Sequence, residues 1–174
     1  MQADLSIRRS SSRDVEGIAS LYKAVGDAGG GLARASDEVT EKYVSDFLTA
    51  AIAEGIALVA TDTAGNVIGE IHARPHGPRT FAHVLGDLTI AVHPSLQGRG
   101  VGRRIFSELL AIVTSEMPHI LRVELVSRET NARAIAMYES LGFQREGRMV
   151  NRIRLDDGSL DADIPMAWHR NRKG

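Results

Sequence analysis

The chain has no cysteine, which excludes a disulfide scaffold, a thiolate zinc site and a cysteine nucleophile. It has almost no net charge. Its 21 Lys and Arg residues stand against 22 Asp and Glu, leaving −1, so no overall field draws it to nucleic acid or an anionic membrane, and neither is expected as a partner. The stretch Met1 to Ser10 is polar and carries no apolar signal core, and no apolar run approaches the roughly 18 residues of a membrane-spanning helix. A cytoplasmic location is the expectation. Aromatic residues make up only 5%, and the single tryptophan, Trp168, reads as an anchor for the last strand. His72, His76, His83 and His93 lack the spacing of any metal motif and read as strand and turn residues. No metal is expected, and His83 is the one histidine placed to serve as a neutral base near Asp87.

What is present is a chain of 174 residues, 43% hydrophobic and 25% charged, the composition of one globular domain over 1–174. Alternating Leu5 and Ile7 predict a strand over Asp4 to Arg9. Val15, Ile18, Leu21, Tyr22 and Val25 then recur at helical spacing over Asp14 to Val25. The glycine-rich segment Gly26 to Ala35 breaks that regularity; a surface loop and a mobile lid both remain open for it. A second helix is expected from Ser36 to about Ala53, with Val39, Tyr43, Phe47 and Ile52 on one side. Ile56 to Thr61, Val67 to Ala73 and Ala82 to His93 read as a meander of strands, with turns at Asp62 to Asn66 and Pro75 to Arg79. Val101 to Glu116 reads as a helix stopped by Pro118, Ile120 to Val126 as a strand, and Asn131 to Leu141 as a helix. From Phe143 onward a final hairpin turns at Asp156-Asp157-Gly158.

Between the strand ending at His93 and the helix beginning at Val101 lies Gln97-Gly98-Arg99-Gly100-Val101-Gly102. Glycine allows positive φ and close backbone approach, and the first turn of a helix offers N–H groups with no partner inside the helix. Arg99, Arg103 and Arg104 crowd the same helix start, where the macrodipole disfavours each cation by roughly 0.3–1 kcal/mol unless an anion is bound. This pattern points to a polyphosphate. No Gly-Lys-Ser/Thr ending follows, so it is not a Walker loop, and Arg103 stands where a dinucleotide fingerprint needs its third glycine.

Gln97-x-x-Gly100-x-Gly102 resembles the acetyl-CoA pyrophosphate loop of the GNAT superfamily of N-acetyltransferases. A second motif, Asn131, six residues, Tyr138, three residues, Gly142-Phe143, resembles the family's next signature and follows in the family's order and at its distance. The resemblance runs over essentially the whole chain. It implies a mixed α/β (α+β) fold: a central, mostly antiparallel twisted sheet of about seven strands flanked by four helices, with strands 4 and 5 parallel and splayed. It also implies acetyl-CoA as cosubstrate, held by Gln97, Gly98, Arg99, Gly100, Val101, Gly102 and Arg103 at the pyrophosphate. The strand edge Ile90, Ala91 and Val92 would lie along the pantetheine amides, Asn131 on the CoA arm and Tyr138 near the thioester sulfur. The same residues have local roles open to them: Asn131 is a good helix N-cap, Gly142 a good C′ residue, and Phe143 is expected to pack on Tyr138.

Acetyl transfer from a thioester to an amine needs an amine without its extra proton, a stabilised oxyanion and a protonated thiolate. A phenol near the sulfur, Tyr138, suits the last. For the base, Asp87 lies seven residues before Pro94, matching the carboxylate of phosphinothricin-type relatives, with Asp in place of their Glu. Glu124 is the other candidate: flanked by Val123 and Leu125, it is expected to have a raised pKa. Either acts directly or through a water. The stretch from Ala82 to Ala167, with Glu146-Gly147-Arg148-Met149 and Asp163 to Ala167, looks like the subgroup of L-amino-acid N-acetyltransferases and phosphinothricin acetyltransferase-like enzymes. The acceptor implied is the primary amine of a small molecule, an amino acid first. A peptide or ribosomal-protein N-terminus and a non-catalytic CoA-binding regulatory module are the alternatives, and a homodimer is a family-level expectation.

Overall fold

The structure is a computed structural model that describes residues 5–29 and 31–170. The chain divides into two compact units, Met1–Arg74 with Thr89–Glu116, and Pro75–Leu88 with Met117–Gly174. Asp4 at the head of the expected first strand, and Gly30 within the expected loop, lie outside the described residues.

In the first unit β1 (Ser6–Arg9), β2 (Ile56–Thr61) and β3 (Val67–Arg74) form an antiparallel run. The last residues of β4 (Val84–Val92) follow β3 in the strand order. Every residue of β2 is buried, as a strand covered on both faces requires. Ala57 and Val59 belong to one apolar cluster with Ile18, Leu21, Tyr22 and Val25 of α1 (Val15–Asp27) and Val44 and Leu48 of α2 (Glu41–Glu54). Ala60 points the other way, by the period of two along a strand. There Gly69 leaves room for Ala60 and for Val101 of α3 (Val101–Glu116): a β-carbon at Gly69 would sit 3.4 and 3.5 Å from them.

In the second unit β4 and β5 (Arg122–Arg128) run parallel with the pairs Val84↔Arg122 and Leu85↔Val123. Their ladder stops there. β5 continues antiparallel to β8 (Leu160–His169) along its whole length. β6 (Gln144–Arg145) and β7 (Met149–Arg154) both pair with β8, with a shift of register between Met149 and Ile153. α4 (Ala132–Ser140) contributes Ile135 and Tyr138 to the buried residues. Among the described residues the fold is mixed α/β and mostly antiparallel, with β4 and β5 as its parallel pair and four α-helices. Among the described residues no helix is long and apolar enough to cross a membrane.

Several boundaries differ from the expectation. Among the described residues there are eight strands, close to the expected count of about seven, because the outer strand of the last hairpin is interrupted at residues 146–148 and so stands as β6 and β7. α2 starts at Glu41: Val39 is extended, and the Thr40 hydroxyl accepts from the Tyr43 N–H at 3.1 Å, so Ser36–Glu38 is a separate 3₁₀ turn. Ile52, expected on the buried side, is 49% exposed; Val44, Leu48 and Ala51 hold that side instead. β5 runs two residues further along the chain than its apolar pattern, because β8 supplies partners as far as Asp163.

Candidate active site

In the first unit the glycine loop has the conformation that its composition predicts. Gly98 and Gly100 have φ of +81° and +83°, a region that costs other L-residues about 1–2 kcal/mol. A β-carbon on Gly100 would meet nothing within 4 Å, so this glycine is required by the backbone path and its outer side is open. Val101 is buried and anchors the helix start, whereas Gln97 through Gly100 and Arg103 and Arg104 are exposed. The Arg104 N–H closes the first turn onto Gly100 O at 3.0 Å. The N–H groups of Val101 and Gly102 precede that bond, an arrangement suited to an anion. Gln97 ties the loop to the strand before it: its Nε2 donates to Val92 O at 3.2 Å. The Pro94–Leu96 turn between them is capped by His93, whose Nδ1 lies 2.8 Å from the Ser95 hydroxyl. Ile90, Ala91 and Val92 thus stand at the end of β4 directly before this loop. These residues form a fitting cradle for a pyrophosphate with an extended arm.

In the second unit Asn131 caps α4, its Oδ1 accepting from the Ala134 N–H at 3.3 Å. Its amide nitrogen takes no part in that cap. At the other end Gly142 has φ +94° and Phe143 N–H donates to Tyr138 O at 3.1 Å, closing the turn. Tyr138 is buried, and burial pushes its phenol up to about 12. A phenol held in its protonated form can give a proton.

Asp87 is exposed and has φ +46°. The two-residue alternation of a strand therefore does not carry through it: Asp87 is exposed whereas Ala91, four residues on, is buried. The pleat is re-aimed there. Glu124 also departs from expectation. Its pKa is lowered, not raised: partial burial pushes it up, but hydrogen bonds from Arg122 and His76 outweigh that. Val123 and Leu125 flank it in sequence yet point to the opposite face, where they are buried. On its own face Glu124 Oε2 accepts from Arg122 Nε at 2.7 Å and Oε1 lies 2.6 Å from His76 Nε2. Both Nη groups of Arg122 in turn reach Glu146. His76, expected to be a plain turn residue, is held by this carboxylate, as His72 is by Glu70; His83 is exposed and makes no side-chain hydrogen bond among the described residues. Nothing in spacing announces a pair 48 residues apart. Among the described residues no group of three His, Asp or Glu could hold a metal.

The profile of the acetyltransferase (GNAT) domain family matches residues 53–145. N-alpha-acetyltransferase RimI of Mycobacterium tuberculosis is 46% identical over 59 residues, 34% of this chain and 34% of that protein. The match thus spans about a third of the relative's length. Among solved structures, a GNAT-family acetyltransferase from Streptococcus pneumoniae superposes with a TM-score of 0.87 at 18% identity, over 96% of this chain and 100% of that one. A phosphinothricin acetyltransferase from Sinorhizobium meliloti, solved in complex with acetyl-CoA, gives 0.84 at 20% identity, over 100% and 95%.

Proposed function

The chain belongs to the acetyltransferase (GNAT) domain family, and from that premise we propose that it moves the acetyl group of acetyl-CoA to the primary amine of a small molecule, an amino acid being the first candidate. The observation that carries this reading is the open glycine cradle, with Gly98 and Gly100 at positive φ leading into the start of α3. Gln97, Gly98, Arg99, Gly100, Val101, Gly102 and Arg103 would hold the pyrophosphate, Ile90 to Val92 the pantetheine arm, and Asn131 the same arm through its uncommitted amide nitrogen.

Transfer is direct. The amine lone pair attacks the thioester carbonyl, the C–S bond breaks, and sulfur leaves with a proton that Tyr138 is protonated to give. No covalent enzyme intermediate is required. Asp87 and Glu124, one on each strand of the parallel pair, are the carboxylates nearest in role to a base. The amino-acid reading is supported by the resemblance of the stretch from Ala82 to Ala167 to amino-acid and phosphinothricin acetyltransferases. A peptide N-terminus is the second reading, favoured by the identity to RimI.

The test is release of CoA thiol from acetyl-CoA against a panel of free amino acids, polyamines and peptides with free N-termini, alongside calorimetry with CoA. Turnover of free amino acids is the expected result. Turnover of peptides alone replaces the acceptor, and absence of CoA uptake removes the assignment.

A further inference from the structure

We propose that His76 is the group that takes the proton from the acceptor's ammonium, with Glu124 acting as the positioning residue behind it; this rests on the acetyltransferase reading above. The two carboxylates offered by the sequence do not fill the role equally well. Glu124 has no oxygen to spare, since Oε1 is engaged by His76 and Oε2 by Arg122, and a carboxylate held ionised by two cation-capable donors is a poor proton acceptor. What it does well is fix an imidazole.

The geometry points to that use. His76 follows Pro75 and precedes Gly77, whose φ is +89°, so a tight turn delivers the ring. Its place is the spot where the parallel ladder ends: the last pair is Leu85↔Val123, and the next residues are Gly86 and Glu124. Gly86 is buried and bare, and a β-carbon there would lie 2.3 Å from His76 Nε2. The imidazole thus occupies the space that a side chain on β4 would take, with its Nε2 turned to Glu124. Phe81 meets the ring edge-on at 6.0 Å between centroids and 78°. Nε2 is committed, and among the described residues Nδ1 has no hydrogen-bond partner, on a side chain 34% exposed. A carboxylate that accepts the N–H of one ring nitrogen fixes the tautomer in which the other presents a lone pair. The carboxylate is itself held, because Arg122 bridges Glu124 and Glu146. The charged groups that face His76 are therefore Glu124 and, through it, Arg122 of β5, with Glu146 and His169 behind; Gly86 brings none from β4, and Phe81 is uncharged. Asp87 is the next residue on β4.

Protons balance as follows. The acceptor enters as R–NH₃⁺ and gives one proton to His76 Nδ1, forming an imidazolium whose Nε2–H remains on Glu124. The free lone pair forms the N–C bond, the C–S bond breaks, and the second proton lost from nitrogen is matched by the one gained by sulfur. The imidazolium returns its proton to solvent.

The test uses the intact protein, acetyl-CoA and the amine that the panel above identifies. His76→Gln is expected to lower kcat/KM near neutral pH by about 10²-fold or more. The loss should shrink as pH climbs toward the amine's own pKa, where the substrate arrives already deprotonated, while the affinity for CoA is unchanged. Imidazole in the buffer should restore part of the rate to His76→Gly. A second measurement is independent of turnover: ¹⁵N signals of neutral His76 should report the Nε2–H tautomer, and Glu124→Gln should weaken that preference. An active wild type whose pH profile His76→Gln leaves unaltered overturns the assignment and returns the role to Asp87. A Nδ1–H tautomer in the wild type does so too. A wild type inactive on every amine overturns the acetyltransferase reading and the assignment with it.

Discussion

The rings of Tyr138 and Phe143 lie 6.1 Å apart between centroids at 57°, joined by the backbone bond that closes α4. Phe143 therefore packs against the phenol ring from the side. Tyr138→Phe keeps that contact and removes only the hydroxyl. It is expected to lower turnover by roughly ten-fold to several hundred-fold with little change in CoA affinity, read by steady-state kinetics and calorimetry. Unchanged turnover would leave Tyr138 a packing residue only.

A methyl group at Gly86 tests His76 without touching it. The added carbon would fall 2.3 to 2.4 Å from Nε2 and Cε1 of the ring, atoms at the end of a side chain that can swing away. Gly86→Ala is thus expected to fold with a melting temperature close to the wild type but to break the bond to Glu124. Its rate loss near neutral pH should resemble that of His76→Gln. Wild-type activity in a folded Gly86→Ala protein would mean that the position of the ring does not matter.

Local rules made much of this molecule readable in advance. The helix Val101–Glu116 begins and ends where its glycines and Pro118 place it, and the Gly142 ending of α4 brings Phe143 onto Tyr138 as its αL conformation requires. What stayed illegible depends on partners far away in sequence. Ile52 obeys the helical period of its neighbours yet is exposed, because the cluster around α1 selects Val44, Leu48 and Ala51 instead. Glu124 looked buried among apolar residues because Val123 and Leu125 adjoin it. In a strand they face away, and Arg122 on its own side sets its charge. Asp87 breaks the strand's period with a single dihedral that no pattern records.

The cradle offers a test of backbone conformation alone. Gly100→Ala adds a carbon to open space, so no clash arises, but φ of +83° becomes strained by about 1–2 kcal/mol. Relief of that strain re-aims the N–H groups at the start of α3. CoA affinity measured by calorimetry is expected to fall about ten-fold, which corresponds to about 1.4 kcal/mol, while a fold marker such as far-ultraviolet circular dichroism stays unchanged. Unaltered affinity would show that this glycine is not part of the grip.

Acid sensitivity is expected to start at Asp14, in the first unit. Asp14 is only 5% exposed and takes both outer nitrogens of Arg8, at 2.7 and 2.9 Å, together with the Ser11 N–H at 2.8 Å. The bond from Arg8 is the main reason its pKa lies below the ordinary carboxylate value, outweighing the upward push of burial. A carboxyl whose pKa is lower in the folded chain stabilises the fold above its unfolded value, near 3.9. That contribution is lost as pH falls through the folded value. The side chain of Arg8 is 48% exposed, and solvent screens the pair, so Asp14→Asn is expected to cost about 1–2 kcal/mol at neutral pH. Urea titrations of wild type and Asp14→Asn should therefore be well separated at pH 7 and draw together as pH falls below about 4, where the carboxyl of the unfolded chain takes up its proton before the folded one does. A gap of the same size at pH 7 and at pH 3 would assign the loss to altered packing instead of charge.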